Sequence, residues 1–280
     1  MISKFSPYSS FLFWLFLISI ASAAVALLGL STQFYLWEFL VDVKILLFVL
    51  LVLLFIRKFH WNVDLTKYGI LRWDAGSNIL VFLGPLVILT LTILVGYVVK
   101  KTTFEGEDDS ITLLLATLFD IPATYFFSVA VVLVEEVIFR GFIFDFVSRE
   151  YAIFKSLMIS SIIWTVANFD KIAQIRSSST LVISSELLNL FSIGVACSVI
   201  YCHTKSIWPG YSFRIGLAVF SSAMLASNVT ETSSVFSTES HILSNSGILF
   251  SIVTLTFASF LLIFSSRIKK TQISASKPPF

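Results

Sequence analysis

Charge is what this chain has least of. Only 13% of its 280 residues are Asp, Glu, Lys or Arg, about half the share found in a soluble domain. A soluble globular fold is therefore excluded. The formal net charge of +2 is too small to draw in a polyanion, so no nucleic-acid partner is expected. Histidine is almost absent: His60, His203 and His241 are the three in the chain, so chemistry resting on several imidazoles has few residues to use. Cysteine is limited to Cys197 and Cys202. Five positions apart on one helix, their side chains point away from each other. Neither a disulfide framework nor a metal clip is expected from them.

What the sequence does contain is apolar: 57% hydrophobic residues, with Phe alone at 29. In a bilayer every backbone polar group must be satisfied within the chain, which selects helices. The expected fold class is all-α, a polytopic transmembrane helical bundle of about eight spans. The spans fall near 11–30, 39–56, 79–99, 122–147, 152–169, 181–202, 208–227 and 246–266. Lys4 precedes the first, which reads as an uncleaved anchor because its apolar run continues past the small residues at 21–23. Pro122 is expected to open the fourth span, leaving 111–121 as a short or re-entrant piece. Residues 57–78 are basic and interleaved with Trp61, Tyr68 and Trp73, the pattern of a membrane-surface segment. The acidic loop at 105–109 lacks the ligand spacing of a calcium loop and reads as solvated. No internal repeat is visible, which argues against a transporter. The chain divides into N-terminal helices and loops (1–110), a membrane core (111–266) and a basic tail (267–280).

Lysines and arginines set the orientation. With the N-terminus inside, outer loops hold only Lys100, Lys101, Lys171 and Arg176, and the other loop and tail cations lie inside. The expectation is an integral, multi-pass protein of the plasma membrane with both termini cytoplasmic.

Against this background residues 131–144, VVLVEEVIFRGFIF, are out of place. Ionisable groups at membrane depth are costly and mark functional sites. Glu136 and Arg140 are spaced i, i+4 and share a helix face, so they can pair. Glu135 is rotated about 100° away and is left for other work. That layout suits a general base with a braced neighbour; it equally suits a buried ion pair that fixes helix rotation.

The wording Glu135-Glu136-Val-Ile-Phe-Arg140-Gly141 resembles the first motif, EExxxR, of the CAAX-protease and bacteriocin-processing family. A second segment resembles the same family: Gly194, Tyr201, then Thr204-Lys205-Ser206-Ile207-Trp208-Pro209. The resemblance implies an intramembrane endopeptidase, cleaving peptide bonds near the bilayer with a glutamate-activated water. It also implies a divalent metal held with the help of histidines, and a membrane peptide or lipidated protein as substrate. Two positions depart from the pattern. Where the family has FxxxH, this chain has Trp164-Thr165-Val166-Ala167-Asn168. Where HxxxN should begin there is Arg214, with Ala218 at its end. His241 and Asn245 fit HxxxN only as a bare pattern in a Ser-rich loop.

These departures imply weakened or lost catalysis. A guanidinium cannot bind a metal and an amide does so poorly, so no cofactor is expected. The site candidates are Glu135, Glu136, Arg140 and Asn168 as catalytic residues and Arg214 as a binding residue. In one reading Glu135 pairs with Arg214 and Glu136 with Arg140, a structural charge network in which Glu135 is a poor base. In another, Glu135 activates water without metal, Asn168 donates to the oxyanion and Arg214 holds a carboxylate or the oxyanion itself. A glutamate–asparagine site is expected because Glu135 and Asn168 lie at similar distances from the turn near Arg149. A third reading is non-catalytic: a scaffold, a partner subunit of another membrane protein, or an immunity factor against a peptide toxin.

Overall fold

The computed structural model describes residues 72–98, 102–104, 126–168, 180–224, 236–238 and 248–275, with a few isolated positions before them. The two N-terminal spans, the surface segment through residue 69, the acidic loop, the 111–121 piece, Pro122, His60 and His241 lie outside the described residues.

Helix α1 (Ala75–Val98) starts where Asp74 caps it. The Asp74 carboxylate accepts the backbone N–H of Gly76 at 3.3 Å and of Ser77 at 3.2 Å, filling donors that a helix start leaves open. Further along, Thr90 and Thr92 donate their hydroxyls to Leu86 O and Ile88 O, 2.7 and 2.8 Å away. This hides the hydroxyls in apolar surroundings. One face of α1 is apolar and uncovered along its length: Leu80 is 76% exposed, Val87 55%, Leu94 57% and Val98 72%. Water does not tolerate so long an apolar stripe; lipid does. Among the described residues two helices, Ala75–Val95 and Thr180–Thr204, are long and apolar enough to cross a membrane.

Helix α2 (Phe126–Glu136) passes without a break into a π-helical stretch (Val137–Phe144) and a last α turn (Asp145–Ser148). The chain reverses at 149–152 into α3 (Ile153–Ala167). Helix α4 (Thr180–Thr204) packs against α3, and Ser160 Oγ and Ser198 Oγ meet at 3.3 Å across the two. Such small residues let helix backbones approach closely. From Asn189 to Cys202 α4 is buried almost all round, as befits a helix surrounded by α3, α5 (Ile207–Met224) and α6 (Ile248–Ala275). Apart from one short ribbon and the turns, the described residues are thus helical, as the apolar runs imply. One three-residue antiparallel ribbon joins two connections, β1 (Thr102–Phe104) with β2 (Phe236–Thr238).

The segment Thr204–Pro209 places α5. Lys205 takes a left-handed backbone (φ 52), ending α4 and turning the chain. Ser206 Oγ accepts the N–H of Trp208 at 3.3 Å, capping α5, and donates to Arg72 O at 2.5 Å. Trp208 Nε1 donates to Ile70 O at 2.6 Å, and its ring meets the edge of Trp73 at 5.0 Å. The start of α5 is therefore pinned beside the start of α1, and the two helices run together.

Among the described helices, α1, α3 and α4 lie close to the expected spans, and the last one runs longer. There the helix continues through Arg267, Lys269 and Lys270 to Ala275. Long basic residues are good helix formers and need not end a helix where the apolar run ends.

Candidate active site

Four charged side chains from α2, the π stretch and α5 meet inside the bundle. Glu135 is 5% exposed, Glu136 0%, Arg140 1% and Arg214 9%. Arg214 divides its guanidinium between the glutamates. Nη2 donates to Glu135 Oε2 at 2.6 Å and Nη1 to Glu136 Oε1 at 3.2 Å. Arg140 Nη1 lies 3.3 Å from the same Glu136 oxygen, and Arg140 Nη2 donates to Gly194 O at 3.4 Å. Two negative and two positive charges balance. That balance lets the group exist at such burial, since one uncompensated charge there is strongly destabilising.

Trp164 closes the arrangement. Its Nε1 donates to Glu135 Oε2 at 3.3 Å, the oxygen that Arg214 also holds. Arg140 Cζ lies 4.9 Å from the indole ring centre and Arg214 Cζ lies 5.1 Å from it. Both guanidiniums therefore rest on one buried ring, a cation–π arrangement strengthened by desolvation.

Two glycines make room. A Cβ on Gly210 would come within 2.8 Å of Glu136 Oε2, so the carboxylate occupies space that any side chain would take. A Cβ on Gly194 would meet the Trp164 ring at 3.2 Å. Gly194 thus lets the indole sit flat between α3 and α4, and offers its carbonyl to Arg140.

The structure brings together Glu135, Glu136, Arg140 and Arg214. Asn168 is not joined to them. It ends α3, and its Nδ2 donates to Trp164 O at 3.0 Å, one turn back. The α3 residue that bonds Glu135 is Trp164, one turn before Asn168. Between Glu135 and the turn the helix is π-helical over Val137–Phe144, a form found frequently at functional sites. Ala218, at the end of the HxxxN-like stretch, is exposed.

The sequence reading missed Trp164 and Gly210. Trp164 opens the very pentapeptide compared with FxxxH, but only its last position was weighed. Gly210 had a usable signal, since it lies i, i+4 from Arg214 and so on the face turned to the glutamates.

The residues do not suit a divalent cation. Both carboxylates are already held by guanidiniums, and among the described residues no three of His, Cys, Asp and Glu converge. Cys197 is buried and free, its Sγ turned to Gly210 O at 3.9 Å.

An apolar helical bundle built round a closed carboxylate–guanidinium centre is the architecture of a membrane protein with an intramembrane polar site. Residues 117–220 match the family described as Type II CAAX prenyl endopeptidase Rce1-like. Over that segment, which holds both glutamates, Trp164 and Arg214, the chain is similar to the CAAX-protease family. No curated protein matches the chain.

Proposed function

We propose that this is a catalytically silent CAAX-protease-like membrane protein that acts by binding another membrane polypeptide. The carrying observation is the 2.6 Å contact of Arg214 with Glu135. A water-activating glutamate must present its carboxylate to water and accept a proton; here one oxygen is taken by a guanidinium and an indole N–H together. Asn168 turns one amide N–H to its own helix at Trp164 O, which weakens the case for an oxyanion donor at that position. The partner is an apolar transmembrane segment, either of a companion protein or of a peptide toxin against which this chain protects. The chain crosses the plasma membrane about eight times with both termini cytoplasmic, an arrangement supported by the distribution of its lysines and arginines.

The test is incubation of the purified protein with lipidated and unlipidated membrane peptides, wild type beside Glu135→Ala. No cleavage above the Glu135→Ala background is expected. Cleavage that depends on Glu135 would overturn the reading.

A further inference from the structure

We propose that the Arg214 guanidinium is a tethered substitute for a divalent cation, bridging the two glutamates as a bound metal ion would. This deepens the non-catalytic reading of the same site and rests on it.

Neighbouring residues on a helix point about 100° apart, so Glu135 and Glu136 do not converge on their own. Arg214 reaches from α5 and takes one oxygen from each, Glu135 Oε2 at 2.6 Å and Glu136 Oε1 at 3.2 Å. One oxygen from each of two carboxylates is the contact a hard divalent ion makes. The rest of the surroundings favour a guanidinium over a hydrated ion. The indole face of Trp164 lies 5.1 Å from Arg214 Cζ and offers an aromatic plane with no ligand atom. Gly210, one turn before Arg214, leaves room for the Glu136 carboxylate and adds no donor.

Charge then decides occupancy. With Arg140 and Arg214 in place the group is neutral, and a dication would add two buried charges without partners. Cutting Arg214 back reverses this. Two carboxylates would face one remaining guanidinium, a net charge of −1 in a space shaped for a cation: a guanidinium ion restores neutrality, while a dication bridges the carboxylates with one positive charge left over.

The experiment is thermal unfolding of the full chain in lipid nanodiscs, with magnesium chloride, manganese chloride, guanidinium chloride or a chelator. Wild-type Tm is expected to ignore chelator and divalent salts alike. Arg214→Gly is expected to lose about 10 °C. Low guanidinium, matched against a urea control, should restore much of that loss, and manganese or magnesium a smaller part of it. Arg214→Lys, which keeps a charge on the site, is expected to show no divalent response. If Arg214→Gly cannot be purified alone, the folded yield from cultures with and without added manganese gives the same comparison. A wild-type response to divalent salt overturns the proposal, as does a divalent response in Arg214→Lys. So does an Arg214→Gly protein, or its folded yield, that no cation improves. Glu135-dependent cleavage by metal-free wild type would defeat the non-catalytic reading while leaving the bridging role intact. Failure of cation rescue would do the opposite.

Discussion

Arg214 and Glu135 meet at 2.6 Å although 79 positions separate them in the chain. The contact joins α5 to α2, and its consequences reach the neighbours that hold it. Glu136 receives the other tine of the same guanidinium, Arg140 backs Glu136, and Trp164 lies against both arginines. A change at any member leaves a buried charge short of a partner.

Trp164→Phe tests the indole N–H. The ring is kept and the bond to Glu135 is lost, at an expected cost of about 1.5–3 kcal/mol for a hydrogen bond to a charged group. Trp164→Leu should cost more, because the surface under both guanidiniums goes as well. Thermal unfolding followed by circular dichroism compares the two; equal stability of Trp164→Phe and wild type would show that the N–H does not support Glu135.

Gly210→Ala places a methyl group 2.8 Å from Glu136 Oε2. Neither arginine holds that oxygen, but moving it turns the carboxylate whose other oxygen both arginines contact. The expected loss is about 1–3 kcal/mol, the usual cost of overpacking. Gly76→Ala serves as the control, since its Cβ meets only Asp74 Oδ1 at 3.8 Å. The same unfolding assay separates them; a Gly210→Ala protein as stable as Gly76→Ala would mean that the carboxylate has other room.

The sequence announced part of this and hid the rest for physical reasons. Apolar run lengths fixed the helices, because in lipid a helix is the one local answer. The glutamates and Arg140 stood out because charge is so rare around them. Arg214 stood out against a family pattern. The π stretch left no mark that periodicity can read, since Val137–Phe144 is apolar all round except Arg140 and fits either helix type. Trp164 was passed over because only the last position of its pentapeptide was compared with the family pattern. Trp164 itself looked like core, which it also is, being 2% exposed.

Asp74 gives a pH signature outside the membrane. Hydrogen bonds from the Ser77 side chain and backbone, and then from Gly76, lower its pKa below the ordinary 3.8. A lowered carboxylate pKa adds stability that is complete above the unfolded value and is lost as pH falls through the folded one. Wild type should therefore lose helix α1 stability below pH 3.8, progressively, relative to its neutral-pH value. Asp74→Asn should lack that component. Hydrogen exchange at the first turn of α1 across the acid range reads the difference, and parallel pH profiles for the two proteins would refute it.

The most direct test is a double-mutant cycle at Glu135 and Arg214, with unfolding measured for wild type, Glu135→Gln, Arg214→Met and the pair together. Each single change strands a buried charge and is expected to cost about 3–5 kcal/mol. The double change removes both charges and should be more stable than either single variant. If instead the two losses add to within about 0.5 kcal/mol, the residues do not hold each other and the charge lock is contradicted.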